Sequence, residues 1–236
     1  MGLAHSPRIV TDGLVLALDA ANPKSYPGSG SIWYDISGNN FHMSLKNSPS
    51  YNAALKCFEP NGVDQYGSCD GTVAGSAIAT ASNLGIDGSK QKTVVAIFQV
   101  REIGSISQGF FDVGLHGTIG EHYALRLGGS YTNFRAQFWS TPDYDFSFDG
   151  RSNFNFYSVI YPEDQIGRTY VNTSLVGQDA SPYTLNINDG RPFEMARLYG
   201  STFGTARTQM FMIYNKALTS QEIEQNFNAL RGRFGL

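Results

Sequence analysis

The chain has 236 residues, a formal net charge of −3, and 16% charged against 13% aromatic residues. Lysine and arginine are scattered, and without clustered cations a phosphate backbone is not a partner the sequence points to. No apolar run reaches the length of a membrane span, and MGLAHSPRIV at the start lacks the charged head and apolar core of a leader, so neither a membrane segment nor a signal peptide is expected.

A chain of this length buries roughly 70% of its unfolded surface without covalent staples. Cys57 and Cys69 are the only cysteines and read as reduced, semi-buried thiols, with a disulfide between them as the alternative. The triplet Asn172-Thr173-Ser174 has the form of a glycosylation acceptor, which matters only along a secretory route.

In chain order, Gly13–Ala20 (GLVLALDA) is apolar at successive positions and predicts a buried strand. Asn22–Ser31 is dense in turn formers, Trp33-Tyr34-Asp35 predicts a short strand, and Ser37-Gly38-Asn39-Asn40 a tight turn. Residues 61–90 are small, polar and glycine-rich, and long loops are expected there. Thr93–Val100, Gly109–Val113, Tyr123–Leu127, Phe134–Trp139, Asn155–Tyr161, Phe193–Tyr199 and Gln209–Tyr214 then predict strands at regular spacing. Arg168–Val171 and Ser174–Gly177 flank Asn172-Thr173 as a hairpin. Many short strands separated by turn signals mean a sandwich or barrel rather than alternating βα units.

One helix is predicted near the end. Thr219 followed by Glu222 forms a capping box, Ile223, Phe227 and Leu230 recur on one face, and Gly232 supplies a stop. With no repeat, linker or low-complexity segment, residues 1–236 read as one domain.

Two segments resemble a known family. MFMIYNKALTSQEIEQNFNALRGRFGL is similar to the ending of laminin G-like jelly-roll domains, in which a last strand leads through Asn-x-Ala-Leu, here Asn215–Leu218, to a Ser/Thr-capped helix. DGLVLALDAANPKSYPGSGSIWYDISGNN, Asp12–Asn40, resembles the opening of bacteriophage virion proteins with this fold. GRTYVNTSLVG, Gly167–Gly177, resembles the family's hairpin, with Thr173 where glycine is usual, and FHMSLKN after Asn40 departs from the usual glycine-rich continuation. The resemblance implies an all-β, two-sheet antiparallel jelly-roll sandwich of the concanavalin A-like kind with one short C-terminal helix. Its members include glycan lectins, enzyme appendages and structural virion parts, so fold alone does not fix function.

Hydrolases on related sandwiches place paired carboxylates on a strand, commonly as Glu-x-Asp-x-x-Glu; this chain has no such run, and its glutamates are dispersed. Glu163-Asp164 lies at a turn, where adjacent carboxylates point apart. The histidines are His5, His42, His116 and His122; His116 and His122 flank a turn beside Glu121, but their spacing matches no zinc pattern and a surface hairpin with ordinary histidines is expected. No nucleophile–His–Asp set and no Gly-x-Ser-x-Gly elbow can be picked out.

Calcium is the metal whose oxygen ligands the loops offer, at Asp143, Asp145 and Asp149, or at Asp35 with Asn39 and Asn40; turn formation is the other role of these residues. Sugar recognition needs aromatic faces with planar hydrogen-bonding groups. Trp139 and Tyr144 bracket the Asp-rich loop, with Tyr131, Asn133 and Arg135 just before it. Trp33 and Tyr34 form a second aromatic cluster, of which Trp33 is expected in the core. Strand alternation puts Trp139 with Arg135 and Gln137 on an outer face.

The sequence therefore predicts a non-enzymatic structural protein of a virion surface, as capsid decoration or tail or fibre accessory, present in repeated copies and contacting other virion proteins. A glycan-binding adhesin for host surface polysaccharide is the alternative, and a polysaccharide hydrolase a third. No cofactor is required, with calcium the one candidate.

Overall fold

Valine, isoleucine, phenylalanine and tyrosine at alternate positions build the strands, because their branched or flat side chains fill a pleated surface on one side. A computed structural model describes residues 8–140 and 142–236. His5 and Thr141 lie outside the described residues, as does the start of the chain read above for a leader.

The first half of the chain forms β1 (Leu14–Asp19), β2 (Ile32–Trp33), β3 (Met43–Lys46), β4 (Ser50–Asn52), β5 (Cys57–Glu59), β6 (Tyr66–Ser68), β7 (Lys92–Gln99) and β8 (Gly109–Gly114). There follow β9 (His122–Ser130), β10 (Asn133–Gln137), β11 (Tyr144–Ser147), β12 (Asn155–Tyr161), β13 (Arg168–Val171) and β14 (Ser174–Gln178). The last elements are β15 (Arg191–Met195), β16 (Arg197–Leu198), β17 (Thr202–Phe203), β18 (Arg207–Tyr214) and α1 (Ser220–Phe234).

Two eight-stranded antiparallel sheets result. One runs β14-β13-β12-β7-β18-β5-β4, with β1 also paired to β18; the other runs β11-β10-β9-β8-β15-β6-β3-β2. β16 and β17 form a separate small hairpin. The sheets face each other across a buried cluster that includes Trp33, Phe58, Phe98, Phe111, Tyr123 and Phe211, whose rings meet at stacked and edge-on angles. The expected two-sheet sandwich with one C-terminal helix is the observed architecture, and Trp33 is fully buried in it.

The helix decides which sheet face remains available. Its apolar side (Ile223, Leu230, Phe234) packs on the outer side of the first sheet, against Val95, Ile97, Phe156 and Met212. Thr219 and Glu222 close the capping box. The helix runs through Gly232 and ends at Gly235, which takes the left-handed conformation (φ 69°) and returns its N–H to the carbonyl of Arg231. The expected stop at Gly232 is thus three residues early: a glycine ends a helix only where the backbone turns left-handed. No helix among the described residues is long and apolar enough to cross a membrane.

Four further expectations are corrected. Phe193–Tyr199 is two strands broken at Ala196, whose φ of 58° ends the pleat. The strand predicted to Trp139 stops at Gln137 because Trp139 and Ser140 are both left-handed. The Asp-rich segment is partly strand: Tyr144 and Phe146 point into the core while Asp145 and Ser147 point out, a period-two pattern that makes β11 an edge strand. Residues 61–90 include β6.

Cys57 and Cys69 are both buried and free, Cys57 on β5 of the first sheet and Cys69 just beyond β6 of the second. Burial pushes the Cys57 thiol up to about 12 and the Cys69 thiol well above its ordinary range, so neither carries a nucleophilic thiolate at neutral pH. Asn172 is likewise occupied, accepting from the Phe156 amide and donating to Asn155.

Candidate functional site

Core residues take one side of each strand of the second sheet, so the intervening residues stand on its outer side, which no helix covers. Cross-strand registry lines these up. Ser44, Ser68, Glu194, Asp112, Ala124 and Gln137 are successive partners across β3, β6, β15, β8, β9 and β10. In the neighbouring rung Arg126 pairs with Arg135, and Arg135 with Asp145. An apolar sandwich thus carries a polar row across one whole face.

Two buried acids anchor that row. Asp112 and His122 are both fully buried, with Oδ1 of Asp112 2.5 Å from Nε2 of His122. The carboxylate accepts, so Nε2 is the protonated nitrogen of the ring. The second oxygen of Asp112 accepts the Tyr199 amide at 2.8 Å. Glu194, also fully buried, takes Arg191 and Arg197 at 3.1 and 2.9 Å on Oε2, and Ser68 Oγ donates to Oε1. Two adjacent carboxylates in the middle of a sheet are tolerable because each is saturated by donors.

These contacts tie the β16–β17 hairpin down over the row. Arg197 sits at its root on Glu194 with its guanidinium 3.6 Å over the Tyr66 ring, and Tyr199 sits at its turn on Asp112. The Tyr199 ring meets Trp139 edge-on at 5.1 Å, and the rings of His116 and His122 flank both aromatics at 5.6 to 6.2 Å. The Tyr199 hydroxyl and Arg126 Nε both donate to Oε1 of Gln137. Burial raises the Tyr199 hydroxyl above the ordinary tyrosine range.

The backbone here is strained. Trp139 (φ 73°), Ser140 (74°), Ala196 (58°) and Tyr199 (57°) are non-glycine residues in the left-handed region, at a cost of roughly 1–2 kcal/mol each. Nδ1 of His116 and of His122 are buried without a hydrogen-bond partner among the described residues. Strain and unsatisfied polar atoms collected in one place mark a functional candidate.

The residues singled out in the sequence divide into three groups. Trp139 and Arg135 belong to this face. Trp139 lies beyond the end of β10, so the alternation does not extend to it, and it is half-buried against Tyr199 and the histidines. Arg135 makes a two-pronged pair with Asp145, which raises its pKa. Tyr131 and Asn133 lie at the far end of β9 and β10, where the Tyr131 hydroxyl donates to the Gly104 carbonyl. Tyr144 does not reach the surface: it packs among the core residues with its hydroxyl 2.9 Å from that of Thr169, so it is corrected from a contact to a core residue.

The three aspartates of the loop do not converge. Asp143 accepts the Phe138 amide at 2.7 Å and burial raises its pKa, Asp145 holds Arg135, and Asp149 holds Arg151. Asp35 receives the amides of Ala17, Ser37 and Phe41, fixing the turn after β2. Among the described residues no three His, Cys, Asp or Glu side chains are grouped as a metal would require. Both calcium candidates are therefore structural turns and ion pairs. His122 is corrected from a surface histidine to a fully buried one.

Asp112, Glu194, Arg126 and Tyr199 were not singled out in the sequence, and Gln137 was placed only on the outer face beside Arg135. A signal was present: Asp112 interrupts the apolar run GFFDVG, and RPFEMAR alternates charge with core residues. Alternation places such residues outward, but that Asp112 and Glu194 are partners is a matter of strand order. A groove of about 600 Å³ lies on the other sheet, between the start of α1 and the β12–β13 turn; Arg168 within it is already paired with Asp164.

No protein-family model matches the chain, and no curated protein matches it. Solved structures of similar fold do. A mutant of Trypanosoma rangeli sialidase displaying trans-sialidase activity superposes with a TM-score of 0.69 at 18% identity, over 96% of this chain and 34% of the sialidase. A structure of botulinum neurotoxin type C, which enters cells in dependence on two ganglioside molecules, gives 0.68 at 13% identity over 94% of this chain and 52% of that one. The binding domain of botulinum neurotoxin serotype D/C gives 0.67 at 14% identity, over 93% and 53%. The chain thus spans about a third of the sialidase and half of the toxin chains. At these identities the likeness is one of fold, a β-sandwich.

Proposed function

We propose that the chain is a non-enzymatic glycan-binding β-sandwich module whose sugar site is the outer face of the second sheet around Trp139. The observation that carries this reading is Trp139 itself. It is a half-buried indole held in a strained left-handed backbone, edge-on to Tyr199, whose hydroxyl meets the planar Gln137 amide. An aromatic face ringed by planar hydrogen-bonding groups is what a pyranose is recognised by. Neighbours of the same fold that act on sialic acids or interact with gangliosides support it as company, not as proof.

The non-enzymatic part rests on how the acids are engaged. Asp112 and Glu194 are each saturated by ring, cationic or amide donors, and Nδ1 of His122 has no hydrogen-bond partner to activate among the described residues. Trp139→Ala is expected to abolish binding to every sugar recognised on a broad glycan array while leaving the melting temperature within a few degrees. Unchanged binding would remove Trp139 from the site, and sugar release by the protein would revive the hydrolase.

We further propose that the module is borne on a bacteriophage particle in repeated copies, contacting other virion proteins and presenting this face outward. The support is the resemblance of both chain ends to virion jelly rolls. These ends are joined in space, since β1 pairs with β18 and the Val10 amide donates to Asn226 of α1. Repetition would turn weak single-site binding into firm attachment. Mass spectrometry of purified particles should detect the chain; a chain that stays monomeric and is absent from particles would count against it.

A further inference from the structure

We infer that the sugar face selects glycans bearing an oxyanion, a carboxylate or a sulfate ester, and that Arg126 reads that group; the inference rests on the glycan reading of this face. Arg126 and Arg135 are direct cross-strand partners on the same side of β9 and β10. Like charges placed opposite one another repel and destabilise a sheet unless an anion lies between or beside them. Asp145 answers Arg135 with two contacts. Arg126 makes no ion pair among the described residues: its Nε donates to Gln137 and its Nη1 to the Leu127 carbonyl at 2.7 Å.

Two neutral acceptors therefore orient the guanidinium, while no carboxylate touches it and its second terminal nitrogen has no partner among the described residues. A planar fork held in this way suits an oxyanion. Its position is also suitable. Gln137 receives Arg126 and the Tyr199 hydroxyl on the same oxygen, and Tyr199 leans on Trp139. A ring stacked on the indole would thus bring an exocyclic anion to Arg126. Beyond it Arg191 and Arg197 are already taken by Glu194, and Asp112 engages His122 and the Tyr199 amide, so Arg126 is the cation of this row with no carboxylate contact among the described residues. Recognition of charge should accordingly be confined to one edge of the site.

The test uses the full chain on an array that holds uronate- and sialate-bearing glycans, the same glycans as methyl esters, sulfated glycans and neutral glycans. Carboxylated or sulfated sugars are expected to bind at least about tenfold better than their neutral counterparts, and the preference should weaken as salt rises. Carboxylated sugars alone would identify the anion as a uronate or sialate; sulfated sugars alone, as a sulfate ester. Arg126→Gln is expected to erase the preference while neutral binding through Trp139 persists, and Arg126→Lys, which keeps charge but loses the fork, to restore it in part. Equal binding of acids and esters, or a preference that survives Arg126→Gln in a variant with native melting temperature, overturns this inference and leaves the glycan site standing. Absence of binding to any glycan overturns both.

Discussion

Replacing Asp112 by Ala is expected to lower the unfolding free energy by about 2–5 kcal/mol, because it leaves two donors without their acceptor at roughly 1–3 kcal/mol each. Two losses combine. His122, with no exposure to water, loses its carboxylate and is left with both ring nitrogens unpartnered. The Tyr199 amide loses its acceptor, which releases the turn of the β16–β17 hairpin. Asp112→Asn keeps an acceptor for the Tyr199 amide and should cost less. Chemical denaturation of the three proteins measures the order. Stability of Asp112→Ala within 1 kcal/mol of the native protein would mean that the pair does not hold the hairpin, and the account of the site would fall with it.

The second large effect has the opposite sign. Lys92 is fully buried at the start of β7, its ammonium 4.9 Å from the Tyr161 ring centroid and donating to one carbonyl, that of Gly88. Burial depresses its pKa from 10.5 to about 7, with Lys90 adding to the depression and Asp87 opposing it. Below pH 7 the amine is charged in both folded and unfolded chains, and the folded state bears the whole cost of the buried charge. Between pH 7 and 10.5 the unfolded chain holds a proton that the folded chain has released, so this group makes stability rise with pH across that window.

Lys92→Met removes the charge and keeps the length. It is expected to stabilise the protein by roughly 2–4 kcal/mol at pH 7, a melting increase of about 5–10 °C, with the advantage shrinking towards pH 10.5. Comparing melting curves of the two proteins over this range isolates Lys92 from the tyrosines and cysteines that titrate in both. An advantage that is constant with pH would show that packing, not charge, separates them.

Much of the architecture was legible because it follows from local rules. Alternation in FRAQF, turn formers at regular spacing and the Thr219–Glu222 capping box each act within a few residues, and β10 and the start of α1 appear there, although both elements end elsewhere than expected. What misled was a rule applied without its partner. Asp143, Asp145 and Asp149 look like one acidic loop in sequence, yet the inward pull of Tyr144 and Phe146 makes that segment an edge strand and sends the aspartates to three different partners.

By itself the sequence determined an all-β sandwich or barrel with a capped terminal helix, because hydrophobic period and capping chemistry are local; the two-sheet form was what the resemblance of its ends implied. Only the tertiary structure decided that Glu194 and Asp112 are neighbours across the sheet, that Tyr199 returns to Trp139, and that Arg126 faces Arg135. Those contacts join residues far apart in the chain, and strand order, which side-chain period does not encode, is what brings them together.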